Sequence, residues 1–107
     1  MASELAEVLA RDYPFLEPSH TSRLVATYGD RAQRILTGAR TAADLGLAFG
    51  ATLTEAEVRY LMAEEFARTA DDVLWRRTRL GLVFSKAESA ALDRFMVAAM
   101  APQATGP

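Results

Sequence analysis

The sequence contains no cysteine, which excludes disulfides, zinc–thiolate centres and cysteine nucleophiles. It holds a single histidine, His20. No apolar run approaches the roughly 20 residues that a membrane-spanning helix needs. The opening Met1-Ala2-Ser3-Glu4 has neither a positive stretch nor an apolar core, so no secretory leader and a cytoplasmic location are expected. Basic residues are not in excess: 12 Lys and Arg stand against 14 Asp and Glu, a net charge of −2. General nucleic-acid binders carry a basic surplus, so no nucleic-acid partner is expected. There is no glycine-rich phosphate loop either. Gly46-Leu47-Ala48-Phe49-Gly50 lacks the GxGxxG spacing and follows no predicted strand.

What is present favours helix. Half of the 107 residues are hydrophobic, enough for one domain with a modest core. Alanine is abundant, and no segment alternates apolar with polar over strand length. The predicted fold is all-α, a small orthogonal or irregular bundle of about five to six helices, ordered over about residues 4–100, with 101–107 a frayed tail. A first helix is predicted from Glu4 to Arg11, capped by Ser3 and stopped at Tyr13-Pro14. A second begins at Pro18 and ends at Gly29. Asp30 and Gln33 form a capping-box pattern for a short third, closed by Gly38. Residues 39–53 read as a packed, irregular connector. Thr54-Glu55-Ala56-Glu57 is a capping box in which Glu57 should reach back to the cap amide. The helix it opens runs to about Ala67, with Val58, Leu61, Met62 and Phe66 on one apolar face and Tyr60 on another. Thr69-Ala70-Asp71-Asp72 caps a further segment, either separate or a kinked continuation, ending near Gly81. Ser85-Lys86-Ala87-Glu88 opens the last helix, whose buried stripe is Leu92, Phe95, Met96 and Ala99.

Catalytic equipment is thin. His20 reads as an ordinary surface or cap-region residue, with no partners for a triad or a zinc helix. Glu55, Glu57, Glu64 and Glu65 could form a carboxylate cluster for a metal or for acid–base work. Their helical positions favour a solvated face instead. No catalytic, cofactor-binding or metal-ligating residue is therefore assigned. The densest feature is the run from Arg68 to Gly81. Arg68, Asp72 and Arg76 recur every four residues, and Arg76, Arg77 and Arg79 crowd a helix end beside Trp75. Exposed pairs of this kind contribute only about 0.3–0.5 kcal/mol each. The run reads equally as cations capping carbonyls or as a docking face, because arginine and tryptophan are enriched at interface anchors.

Three elements then fall together. Tyr28-Gly29-Asp30-Arg31-Ala32 resembles a YGxxA element, and Thr54 to Tyr60 resembles a T.aEV.y element. Glu64 to Arg79 resembles EEmArTleDvL.RRtr. In this order and spacing the chain is similar to the C-terminal helical domain of FAD-dependent (aerobic) glycerol-3-phosphate dehydrogenases and the related glycerophosphate oxidases. The resemblance implies a parent flavoenzyme that oxidises glycerol 3-phosphate to dihydroxyacetone phosphate. Hydride would pass to FAD and electrons onward to quinone or oxygen. It also implies that FAD and substrate are held by an N-terminal domain of the same polypeptide. No cofactor is expected in this stretch, which would be inactive alone, and peripheral association with the inner face of the membrane would belong to the whole enzyme. The implied docking residues are Arg68, Asp72, Trp75, Arg76, Arg77 and Arg79. Two other arrangements stay open: a stand-alone helical interaction protein, including a homodimer, and a nucleic-acid-binding module using Arg76, Arg77 and Arg79.

Overall fold

The computed structural model describes residues 2–100, with side chains from Glu4 onward. Helices α1 (Ala2–Asp12), α2 (Pro18–Tyr28), α3 (Ala32–Leu36), α4 (Glu55–Glu64) and α5 (Lys86–Met100) dominate it. A π-helical segment at Asp72–Arg77 and 3₁₀ turns at Gly29–Arg31, Ala42–Leu45 and Leu80–Leu82 fill the joints. This is the predicted helical architecture, with one addition. An antiparallel ribbon of β1 (Ala48–Gly50) and β2 (Leu53–Thr54) pairs Ala48 with Thr54 and Gly50 with Leu53. It closes the connector, running one residue past it into Thr54, and is too short for alternation to register. The expected tail at 101–107 and the side chain of the expected cap Ser3 lie outside the described residues; Ser3 itself falls within α1.

Helix ends follow local chemistry. The Tyr13 amide donates to the Leu9 carbonyl at 2.7 Å, and α1 ends before Pro14. Gly29, at φ 56, donates its N–H to the Val25 carbonyl and ends α2, a conformation that costs glycine little. Ser85 and Glu88 cap α5 reciprocally, at 2.9 and 3.0 Å. Thr69 and Asp72 do the same at 3.3 and 3.2 Å.

Three expectations are corrected. The Asp30–Gln33 box does not form, because a 3₁₀ turn takes Gly29–Arg31 and puts Arg31 at the N-cap of α3. The Thr54 box does not form either: no side chain caps α4, and Glu57 turns inward. A box that does form, Thr41 with Asp44, was not anticipated. The stretch to Ala67 is not one helix. It ends at Glu64, and Phe66 adopts φ 59 and is 76% exposed. A left-handed non-glycine residue redirects the chain, so Ala67 is buried in place of Phe66.

The core is aliphatic. Leu9, Leu24, Leu36, Leu53, Leu61, Leu74, Leu92 and Met96 are almost wholly buried and come from nearly every element. α1 packs on α2, α3 on α4, and β1 on α5. Phe49 of β1 meets Phe95 of α5 at 5.1 Å between centroids, and the Arg59 guanidinium of α4 lies 5.0 Å from the same Phe95 ring.

Candidate functional site

Two constellations gather the charged side chains. The first is internal. Arg23, on α2, grips Glu57, on the first turn of α4, through a two-pronged pair: Nη1 donates to Oε2 at 2.9 Å and Nη2 to Oε1 at 2.5 Å. Its Nε donates to the Thr52 hydroxyl at 2.6 Å, and Nη2 also donates to the Thr52 carbonyl at 3.1 Å. The Tyr28 hydroxyl donates to Glu57 Oε2 at 2.5 Å. The Glu57 side chain is fully buried and that of Arg23 is 16% exposed. Tyr60 stacks edge-on to Tyr28, and its hydroxyl is buried without a hydrogen bond among the described residues. Burial works against the Arg23 charge, but hydrogen bonding to Glu57 and its field hold the guanidinium above its ordinary pKa. Burial, reinforced by Glu57, pushes the Tyr28 phenol up. The cluster is thus an ionised, hydrogen-bonded knot tying α2, the ribbon turn and α4 together. It has the makings of a fastener and no free nucleophile or base.

The spacing of Glu57 from Thr54 suggests a capping role. A competing signal was present: Glu57, Tyr60 and Leu61 lie at i, i+3 and i+4, one face of α4, and all three are buried. His20 is corrected as well. It does sit in the cap region, in the first turn of α2, but is buried rather than on the surface (8% relative exposure) and borders a cleft of about 360 Å³ with Phe15, Leu16, Glu17, Leu45 and Leu53. Burial lowers its pKa, and Arg23 lowers it further, against smaller opposing effects of Glu57 and Glu17.

The carboxylates do not converge. Glu55 accepts from the Leu47 amide at 3.1 Å and from Arg59 at 2.8 Å, while Glu57 sits in the knot. Glu64 is exposed. Glu65 lies 3.2 Å from Arg77 and 3.9 Å from Arg31. Among the described residues, no group of three or more His, Cys, Asp or Glu could hold a metal.

The second constellation is the arginine end. Asp72 accepts from the amides of Arg68 and Thr69 at 2.9 and 3.3 Å and lies 3.7 Å from Arg76. The Arg68 amide leads in holding the Asp72 carboxyl below its ordinary range. Asp72 therefore builds the turn, and Arg77 is turned partly inward to Glu65. Arg68, Arg76 and Arg79 stay exposed, Arg76 by 80% at its side chain. Trp75 is half exposed. The segment is π-helical, with the Thr78 amide and hydroxyl both donating to the Val73 carbonyl. Such wide turns are rare and often occur at functional sites. The sequence-proposed set thus divides: Asp72 and Arg77 make internal contacts, and Arg68, Trp75, Arg76 and Arg79 face outward. Among the described residues, no helix is long and apolar enough to cross a membrane.

The pieces of the resemblance meet in space through these contacts: Tyr28 with Glu57, and Arg31 and Arg77 with Glu65. Comparison with known proteins agrees. The chain is 38% identical over 94 residues to the aerobic glycerol-3-phosphate dehydrogenase of Escherichia coli, covering 88% of this chain and 19% of that protein. It is 40% identical over 92 residues to a glycerol-3-phosphate dehydrogenase of Pseudomonas aeruginosa, covering 86% and 18%. It is 41% identical over 86 residues to the D-erythritol 1-phosphate dehydrogenase of Brucella abortus, covering 80% and 17%. The chain thus spans about a fifth of the length of these relatives. A family model described as the C-terminal domain of alpha-glycerophosphate oxidase matches residues 1–105, and the chain belongs to that family.

Proposed function

We propose that the chain is the C-terminal accessory domain of an FAD-dependent glycerol-3-phosphate dehydrogenase. The parent would convert glycerol 3-phosphate to dihydroxyacetone phosphate and pass the electrons to quinone. The observation that carries this reading is the asymmetry of coverage: nearly all of this chain matches under a fifth of each relative. A second observation supports an accessory role. Relatives named for glycerol 3-phosphate and for D-erythritol 1-phosphate carry this domain at nearly equal identity, 40% and 41%. A domain shared across different substrates is a poor candidate for selecting them. FAD would supply the hydride acceptor. The residues described here do not fit a dinucleotide, because the only strands form a short antiparallel ribbon and no strand–glycine loop–helix unit accompanies them. No step is assigned to the chain's own side chains. Its part is to pack against the FAD and substrate body, with Arg68, Arg76 and Arg79 meeting acids or carbonyls beside Trp75. Any membrane association belongs to the rest of the polypeptide.

The test is the complete gene product, loaded with FAD and assayed for glycerol 3-phosphate-dependent dye reduction. The expected result is turnover by the complete protein, none by residues 1–107, and lower turnover or a lower Tm when Arg76 and Arg79 are both changed to Glu. Turnover by residues 1–107 alone, or none by the complete protein, would overturn the reading.

A further inference from the structure

The arginine end carries an apolar platform that the charge pattern hides. Leu82 is 77% exposed, Val83 66% and Trp75 50%. Gly81 joins them: a Cβ built there would collide with Cε2 of the Trp75 indole. The indole therefore rests directly on the Gly81 backbone, beside the chain that leads into Leu82 and Val83. Arg79, at φ 60, makes the turn that folds residues 80–82 back against the π-helical segment. Three exposed large apolar residues thus lie within residues 75–83, on a stretch that folds back on itself at Gly81, with the exposed cations Arg76 and Arg79 between them in the chain. An anchor of tryptophan and aliphatics inside a rim of arginine has the make-up of an interface centre.

We infer that Trp75, Leu82 and Val83 form the docking centre for the remainder of the same polypeptide, whose facing surface is an apolar hollow bordered by carboxylates. This rests on the accessory-domain reading above and names the face it uses. Two observations choose this occupant. About four-fifths of each relative lies outside the matched region, so on the accessory-domain reading a body several times larger is there to cover a face of this domain. A second copy is disfavoured by charge. Asp72 and Glu65 are engaged by Arg76 and Arg77, which leaves Asp71 as the exposed acid of the segment against the exposed Arg68, Arg76 and Arg79, so a two-fold contact would set a predominantly cationic rim against itself.

Single cysteines test the assignment, since residues 1–107 contain none. Leu82→Cys, Phe66→Cys and Val97→Cys are introduced separately into the complete gene product. Each native position is more than half exposed in this domain. Maleimide labelling is then followed by mass on the peptide. The expected result is Leu82→Cys labelling at least about tenfold more slowly than Val97→Cys and Phe66→Cys, at a rate independent of protein concentration. Fast labelling at Leu82→Cys with slow labelling at either other site would move the docking face and overturn this inference, leaving the accessory role standing. Fast labelling at all three would also overturn this inference, and the turnover assay above would decide the accessory role separately. Slowing at Leu82→Cys that grows with protein concentration would assign the surface to a second copy and overturn the occupant named here.

Discussion

The Arg23–Glu57–Tyr28 knot and the Asp72–Val83 end use the same vocabulary of arginines, carboxylates and an aromatic ring, and they differ in solvent. In the knot, a fully buried carboxylate receives both prongs of a guanidinium and a phenol. At the other end, Arg76 stands 80% exposed and 3.7 Å from its acid. Buried, such a set cannot be disturbed on one side without stranding a charge in a low-dielectric interior. Exposed, it is screened, its side chains keep their freedom, and removing a partner leaves a solvated ion. One region ties α2, the ribbon turn and α4 together through buried groups; the other leaves Arg68, Arg76 and Arg79 exposed to solvent.

The sharpest way to break that contrast is Glu57→Ala. It would leave the Arg23 guanidinium buried with only Thr52 as a hydrogen-bonding partner and break the side-chain link from Arg23 and Tyr28 of α2 to α4. The expected loss is about 3–5 kcal/mol of unfolding free energy, read from urea titration of residues 1–107. A loss below about 1 kcal/mol would show that the knot is not what fastens these elements. Replacing Arg23, Tyr28 and Glu57 together with Met, Phe and Leu should recover much of the loss, since an apolar set strands no charge.

His20 supplies a second probe of the buried side, smaller than the loss on removing Glu57. Its folded pKa is lowered from 6.5, by burial first and Arg23 second. The unfolded chain therefore binds the proton more readily, and stability rises with pH across that window. The neutral imidazole's contribution is fully present above about 6.5 and is lost as pH falls from there towards the folded value. Asp44, Asp72 and Glu55 have lowered pKa values, from 3.8, 3.8 and 4.5. Their contributions are complete above those unfolded values and are lost below them. Urea titrations at pH 7.5 and 5.0 should show lower stability at the acid end, and His20→Gln should shrink the difference. An undiminished difference in His20→Gln would place the proton elsewhere.

The two regions were not equally legible. The arginine end could be read because its signal is local: Thr69, Asp72 and Arg76 interact across three or four residues, and sequence spacing reports such pairs directly. The cap of α5 was legible for the same reason. The knot was not, because Arg23 and Glu57 are separated by 34 residues, and their meeting depends on how α2 packs beside α4. Glu57 also had a plausible local alternative at the cap, and tertiary pairing overrode it. The stripe of α5 followed helical periodicity, with Leu92 and Met96 buried. Phe66 did not, since the period assumed a helix that ends at Glu64. Trp75 carries a signal in its residue type alone, whereas Leu82 and Val83 gain meaning only from the turn at Arg79 that folds residues 80–82 back on the π-helical segment.

The smallest expected effect is also the most discriminating. Arg76→Ala in residues 1–107 should change unfolding free energy by no more than about 0.5 kcal/mol, the usual range for surface substitutions away from special features. Asp72 would keep its hydrogen bonds from the Arg68 and Thr69 amides, so the turn should survive. Arg77→Ala should be more disruptive, because its partner Glu65 is only 15% exposed and would retain Arg31 alone, at 3.9 Å. If Arg76→Ala instead matched or exceeded Arg77→Ala in a side-by-side urea titration, the outward cations would be structural and the contrast between the regions would collapse. If Arg76→Ala were silent in residues 1–107 yet lowered the Tm of the complete gene product, its energy would lie across an interface. That pairing of results is expected of a residue held ready for a partner.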